Sequence, residues 1–551
     1  MKKKIITLQL LLLTFTQTLI AQPTAVKNAA NSVFSLTTFR ADGSILASSH
    51  GVFVGTEGEA VSDLKPFLGA AKAVVVDAKG NKMNVTRMIG LNDLYDVARF
   101  RVDGKTTPAQ IANIPSSTNQ DAWLVSYALK SPQITETKVK SVEKFMDKYN
   151  YYIFGMSAPE NTTGCPYVNM YGQVIGIMQL SKTSSDTHAC DVNYVRTLNT
   201  NGLSLNNATF QQIAIPIALP HDENQARLLL VMATQGADSL KAISVADDFI
   251  AQFPTAADGY NSRALMEAAA GQWTQAAQIM ENGIKKCTAK DEAHYNYAKL
   301  MYNYAAPNIH WTLDEALNEA KAAYKEKSLP LYRHLQGQII FDKGDYQQAL
   351  DIFKELSNDK SFASNDLLYE QAQCKRNLKA PNDEIIALLD SAINNTDTLR
   401  ISEAAPYFFS RGQVYDEMGK YREAVIDYTR YEYVMQGRVN DAFYYMREQA
   451  ELKGKLYQQA LVDITRAIIL NPKEPTYYAE MASLQIHVGQ FPEAIITAKK
   501  CTEVAPDYAE GYLLLGLAQI QDNKKADGLA NLQKAKDLGD QQAPRFIEKY
   551  K

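Results

Sequence analysis

The sequence predicts a multidomain chain in which an all-β region is followed by an all-α repeat array. Three observations lead there. Short β-branched and aromatic runs, punctuated by Gly and Asn, fill residues 33–220. Past about residue 222 the apolar spacing changes to helical period and keeps it to the end. Within that second part, Ala460 and Ala494 stand 34 positions apart, each three residues after an aromatic (Tyr457, Phe491) and twelve before a helix-ending Pro (Pro472, Pro506). A chain of 551 residues exceeds one ordinary core, and about three or four units follow from usual domain sizes.

At the N-terminus, Lys2, Lys3 and Lys4 precede an apolar stretch at 5–20, with Ala21 before Gln22. This order of charge, apolar core and small residue is that of an export signal over residues 1–21. The mature chain is therefore expected to be exported, periplasmic or secreted. The apolar stretch is shorter than the about 20 residues a membrane span needs, although an uncleaved anchor is the alternative. No Cys stands at the cleavage point to carry a lipid, and no later segment is apolar enough to span a bilayer. Hydrophobic residues make up 46%, charged residues 21%, and the formal net charge is -4. Nucleic-acid binding needs clustered excess Lys and Arg, so no nucleic-acid partner is expected. No CxxC, HExxH or His-rich cluster is present, so neither metal nor cofactor is expected.

In the β region, strands are expected at 33–39, 51–54, 73–77, 97–102, 122–127, 139–145, 151–154, 174–180 and 212–216. Lys79-Gly80-Asn81 reads as a hairpin turn. So many short strands at this spacing indicate a closed β structure rather than a βαβ sheet.

Two parts of the β region carry a further pattern. Gly51-Val52-Phe53-Val54 is a Gly-led strand, Ala60-Val61-Ser62-Asp63-Leu64-Lys65 a polar step, and Tyr95-Asp96-Val97-Ala98 an Asp before an apolar strand. Later come Thr163-Gly164-Cys165-Pro166, Asn169, Tyr171-Gly172-Gln173-Val174-Ile175-Gly176-Ile177, and Ala214-Ile215-Pro216. In these segments the chain resembles trypsin-like serine proteases of the Deg/HtrA type. The resemblance implies a double barrel over residues 22–222 with the catalytic His position held by Lys65, the Asp by Asp96 and the nucleophile by Thr163. It also implies that Cys165 replaces a glycine beside the nucleophile.

That triad needs a neutral imidazole that accepts the hydroxyl proton and later returns it. An ammonium already carries its proton near neutral pH, and beside Asp96 it reads as half of a salt bridge. Thr163 adds a methyl to a constrained nucleophile. These changes together remove most of the about millionfold contribution of such a triad, so no catalytic residue is expected. Two rival readings keep some chemistry: a Thr163–Lys65 dyad, or Cys165 as nucleophile with His50 or His188 as base.

The helical part, residues 223–551, shows its repeat in Gly337, Gly344, Tyr346, Ala349 and Phe353, and again in Gly412, Tyr415, Gly419, Tyr421, Ala424 and Tyr428. Weaker copies centre on Trp273 and Ala276, Trp311 and Ala316, Ala387, and Leu515 and Gly516 with Ala535. A divergent first unit runs over 226–254. The pattern resembles the tetratricopeptide (TPR) family, in about eight or nine units. The resemblance implies a groove lined by the first helix of each unit. Its contact positions are His334, Gln338 and Phe341, then Phe409, Gln413 and Asp416, then Tyr445, Gln449 and Leu452. The Lys, Arg and Asn clamp for C-terminal carboxylates is absent from them. Aromatics such as Tyr444 and Tyr445 read equally as core.

Of five cysteines, Cys287, Cys374 and Cys501 fall in separate repeats, while Cys165 and Cys190 share the β region and are open to pairing or to remaining free thiols. The leading reading is an exported pseudoprotease that binds protein or peptide partners through its repeats and is not an enzyme. Its rivals are an altered serine-type endopeptidase whose repeats recruit substrates, and an envelope or carbohydrate binder that no residue singles out.

Overall fold

The computed structural model describes residues 22–128, 131–181, 183–305 and 310–551, and the expected signal segment 1–21 lies outside them. After a short helix, α1 (Thr24–Ala29), twelve strands close into two antiparallel barrels. The first holds β1 (Val33–Phe39), β2 (Ile45–Phe53), β3 (Glu59–Asp63), β4 (Lys72–Val76), β5 (Lys82–Asn92) and β6 (Val97–Val102), in the order β1-β2-β3-β6-β5-β4. The second holds β7 (Asp121–Ala128), β8 (Ser131–Phe145), β9 (Tyr149–Phe154), β10 (Pro166–Val168), β11 (Val174–Leu180) and β12 (Thr187–Asp191). Its order, β10-β11-β12-β9-β8-β7, is the same topology, so the barrels repeat one plan.

Alternation along the strands supplies two cores at once. Phe34, Phe53, Phe67 and Phe100 fill the first barrel, with ring centroids 4.6 Å apart for Phe34 and Phe53 and 5.0 Å for Phe67 and Phe100. Val33, Val52 and Val97 on the same strands turn the other way, into a cluster with Trp123, Val125, Val168 and Ile177 of the second barrel. The turn at Gly80 joins β4 to β5 as the sequence predicts, Val76 pairing with Lys82.

Residues 212–216 do not form the expected strand. Met88 N donates to Pro216 O at 2.8 Å and Ala218 N to Met88 O at 2.8 Å, leaving a single bridge between Met88 and Ile217. Pro216 has no N–H to extend a ladder.

A four-residue helix, α2 (Val192–Val195), is followed by nineteen further helices among the described residues. The first are α3 (Glu223–Gln235), α4 (Ser239–Gln252), α5 (Ala257–Ala269) and α6 (Trp273–Lys286). Leu229, Leu230, Val245 and Phe249 of α3 and α4 join the apolar cluster of the first barrel, and Arg87 of β5 grips Asp248 with two bonds of 2.8 and 3.0 Å. The first compact unit accordingly runs on to Ala293, past the change of pattern at 222, and the second covers His294–Lys551.

The remaining helices are α7 (Lys290–Tyr304), α8 (Leu313–Glu326), α9 (Pro330–Asp342), α10 (Tyr346–Ser357), α11 (Asn365–Asn377), α12 (Asn382–Asn394), α13 (Ala405–Glu417) and α14 (Tyr421–Val434). Then come α15 (Asp441–Lys453), α16 (Tyr457–Leu470), α17 (Pro475–His487), α18 (Phe491–Val504), α19 (Ala509–Gln521), α20 (Lys525–Asp537) and α21 (Ala543–Tyr550). Among the described residues, helices α3–α20 fall in chain order into nine pairs of the TPR-like kind. Close approach within a pair demands the small residues of the pattern. A Cβ on Gly337 would lie 2.6 Å from the Phe353 ring and one on Gly412 2.7 Å from the Tyr428 ring. No helix among the described residues is long and apolar enough to cross a membrane.

Two neighbouring pairs carry a feature the apolar pattern hides. Arg411 of α13 and Asp427 of α14 bond at 2.7 and 2.8 Å, and Arg447 of α15 and Asp463 of α16 at 2.5 and 3.0 Å, all four buried. Both pairs have the same sequence separation, a signal present in the sequence but invisible to a search for apolar period.

Candidate functional site

In the β region the three triad positions sit on loops at strand ends. Lys65 follows β3 in a short 3-10 turn, and Asp96 precedes β6 with a left-handed φ of 47°. Lys65 Nζ lies 2.6 Å from Asp96 Oδ2, and the Lys65 backbone N–H donates to Asp96 Oδ1 at 3.0 Å. The carboxylate that would steer an imidazole is thus occupied by an ammonium and its own main chain.

Thr163 enters the site through its carbonyl, which accepts from Ser49 Oγ at 2.9 Å and from His50 N at 3.1 Å. No hydrogen bond links Thr163 to Lys65 among the described residues. The next N–H groups are committed inward, Gly164 N to Met178 O and Cys165 N to Thr162 O. Gly164 has φ +79°, and a Cβ there would come within 2.2 Å of His50 O and 2.7 Å of Asp63 Oδ1. Glycine is therefore required at this spot, where the turn presses on a buried carboxyl.

That carboxyl, Asp63, is the part sequence reasoning passed over. It occupies the polar step before Lys65, is 3% exposed, and meets Ser49 Oγ at 2.5 Å and Ser62 Oγ at 3.0 Å. Ser62 also donates to His50 O. Two hydroxyls have two protons to share among Asp63 and the carbonyls of His50 and Thr163. A protonated Asp63 supplies the third, letting both serines donate to carbonyls. Burial first, and then the Asp96 charge, push this carboxyl up to about 6 against the serine hydrogen bonds.

A carboxyl raised on folding contributes most below its unfolded pKa of 3.8, and that contribution is lost as pH rises through about 6. Asp63→Asn, which keeps the hydrogen bonds and removes the charge, is expected to stabilise the protein by about 1–3 kcal/mol at pH 8 and by nothing at pH 4. Urea unfolding at the two pH values checks this; an equal effect at both contradicts the buried neutral acid.

Of the two readings open for the cysteine pair, the structure carries the free thiols. Cys165 and Cys190 are both free and buried. Cys165 lies beside β10 opposite Met178, whose N donates to Cys165 O, and Cys190 sits on β12 opposite Ile177, so β11 runs between them. Two strand spacings of about 4.8 Å exceed the about 7 Å limit on Cα separation for a disulfide. Burial drives the Cys165 thiol well above its usual range, with the Asp63 charge adding to it. Neither imidazole hydrogen-bonds Cys165 among the described residues. His188 Nδ1 faces Tyr151 OH at 3.3 Å, and burial lowers the pKa of His50.

In the second unit the nine groove candidates divide into two kinds. Some bond to neighbouring repeats: His334 Nε2 and Gln338 Nε2 meet Glu370 at 2.7 and 2.9 Å, Gln413 accepts from Arg376 at 2.7 Å, and Asp416 lies 3.8 Å from Lys453. Gln449 donates to Glu448 at 2.8 Å. Phe341, Phe409 and Tyr445 pack by ring contact on Tyr346, Tyr431 and Tyr477, and Leu452 is half-buried. Tyr444 is core, as weighed from sequence, its hydroxyl bonded to Glu432 at 2.8 Å. Around Phe341 the surface opens into a cavity of about 330 Å³ that also takes in Tyr302, Asp342, Tyr369 and Glu370.

No family model matches the chain. Hsp70-Hsp90 organizing protein 1 of Glycine max is 25% identical over 184 residues, 32% of this chain and 28% of that protein. Hsp70-Hsp90 organizing protein 2 of Arabidopsis thaliana is 35% identical over 68 residues, 12% of each. U-box domain-containing protein 70 of Oryza sativa subsp. japonica is 35% identical over 68 residues, 12% of this chain and 8% of its own length. The chain thus spans less than a third of each of these relatives. Among solved structures, a serine endoprotease from Yersinia pestis is 18% identical over 31% of this chain and 62% of its own, with a TM-score of 0.28, too low to bear on function.

Proposed function

We propose that this protein is an exported, non-enzymatic interaction protein: its helical repeats recognise protein partners, and its double barrel is a pseudoprotease body kept for its stability and surface. The observation that carries the proposal is the Lys65–Asp96 ion pair, 2.6 Å long, at the position where the resemblance calls for an imidazole. A proton-laden ammonium bonded to a carboxylate has no lone pair with which to activate Thr163. The TPR-like helices support the recognition role, as does the likeness to proteins named Hsp70-Hsp90 organizing protein.

Casein hydrolysis by the mature protein, beside a Lys65→His, Thr163→Ser double variant, tests the enzymatic side. Silence from both, or cutting by the variant alone, is the expected result. Cutting by the unaltered protein that Thr163→Ala abolishes would replace this proposal with the altered endopeptidase. Export is tested by fractionating cells and sequencing the N-terminus, which is expected to begin at Gln22.

A further inference from the structure

We propose that the cavity between α7, α9 and α11 receives an arginine side chain from an extended segment of a partner protein. This deepens the interaction role proposed above and rests on it. The cavity, about 330 Å³, has the rings of Tyr302, Phe341 and Tyr369 in its lining together with two carboxylates, Asp342 and Glu370. Its volume lies at the lower end of the about 300–1,000 Å³ typical of ligand pockets.

The two carboxylates are held in place by hydrogen bonds. Tyr302 OH donates to Asp342 Oδ2 at 2.6 Å; the His334 ring and Gln338 bond one Glu370 oxygen each, at 2.7 and 2.9 Å. Among the described residues no Lys or Arg pairs with either acid. A carboxylate has about four lone-pair sites, so both retain unused acceptor capacity. The phenol of Tyr302 responds to the local field: burial first, then its bond to Asp342 and the charges of Asp342 and Glu370, hold its proton tighter than usual.

Two carboxylates set among aromatic rings select a cation. Of the two common cationic side chains, arginine fits better: its flat guanidinium stacks on a ring while its edge donates two parallel bonds to a carboxylate. An acidic tail, by contrast, would meet two like charges.

The probe is a fluorescein-labelled heptapeptide, Gly-Ser-Gly-Arg-Gly-Ser-Gly, compared by fluorescence anisotropy on the full chain with peptides carrying citrulline or Glu in place of Arg. Citrulline keeps the size and shape of arginine and removes the charge. The Arg peptide is expected to bind at least about tenfold tighter than either, a difference of about 1.4 kcal/mol, and to weaken as salt is raised. Asp342→Asn, at an exposed position, is expected to keep the fold, read by circular dichroism, and to shrink the preference for Arg over citrulline to about threefold or less, and Glu370→Gln likewise.

Equal binding of Arg and citrulline peptides, no binding of any of the three, or an Arg preference undiminished in both variants overturns the proposal. Preferential binding of the Glu peptide overturns it too, while preserving a peptide-binding array of opposite polarity. Failure of the broader non-enzymatic reading would show separately, as casein hydrolysis.

Discussion

Arg447→Ala is expected to destabilise the repeat array by about 3–5 kcal/mol, the cost of leaving a buried carboxylate without its partner. The guanidinium is 4% exposed as a side chain, bonds Asp463 through Nε and Nη2, reaches Glu432 at 2.8 Å, and lies over the rings of Phe443 and Tyr444. Arg466, 3.6 Å from Asp463, is half-exposed and replaces little of this. Removing both charges is a different experiment. Arg447→Met with Asp463→Leu keeps the volume and removes both members of the buried pair, while Glu432 keeps Arg466 at 3.2 Å, so the double variant is expected to recover most of the lost stability. Urea titration followed by far-ultraviolet circular dichroism reads both. A single-variant loss below about 1 kcal/mol, or a double variant no better than the single one, contradicts a buried pair.

The second large effect is a pH dependence centred on Glu448. Gly337, Gly412, Ala482 and Gly516 each precede the small residue of their partner helix (Ala349, Ala424, Ala494, Gly528) by twelve positions, and Glu448 precedes Ala460 by the same interval. A carboxyl thus stands where other units place Gly or Ala, wholly buried, with Oε1 unpartnered and Oε2 accepting only from Gln449. Burial first, then the charge of Glu480 on α17, push it up to about 8; Asp463 on α16 adds to the effect. Glu451, one turn on, is raised to about 8 by burial and by Asp463, against the opposing pull of Arg447.

Raising a carboxyl on folding favours the native state at low pH. The contribution is complete below 4.5, where the unfolded chain is also protonated, and is lost as pH climbs to about 8. For one group the loss is on the order of 5 kcal/mol at its upper bound, and coupling between the two acids reduces it. The thermal midpoint is therefore expected to fall between pH 5 and 8.5, and Glu448→Gln to flatten that fall, gaining about 2 kcal/mol or more at pH 8.5 and little at pH 5. A variant whose midpoint tracks the unaltered protein across the whole range shows that Glu448 is not a buried neutral acid.

The candidate site was legible in proportion to how local its chemistry is. Lys65 and Asp96 were found because each stands inside a short recognisable run, and their ion pair follows from charge once the loops meet. Asp63 lay in the same run yet had no visible role, because its effect depends on Ser49, fourteen residues earlier, and on the Thr163 carbonyl, a hundred residues later. Cys165 and Cys190 seemed open to pairing because compartment and count allow it, whereas the interposition of β11 is a matter of strand order. His334 and Gln338 stand on α9, but Glu370, which they grip, and Tyr302, which grips Asp342, carry no signal in that run. Each lies a repeat away.

By itself the sequence determined where strands give way to helices and where one repeat follows another. Those features are written in the period of side chains along the backbone, two for a strand and 3.6 for a helix, and in the Gly and Ala that close packing within a helix pair requires. The tertiary structure alone decided which ionisable groups are buried and with whom: Arg447 with Asp463, Asp63 with two serines, Glu448 with one amide and one oxygen left without a partner. The physical reason is that a charge's energy depends on the solvent it has lost and the partner it has gained. Both are settled by elements that meet in space rather than in sequence.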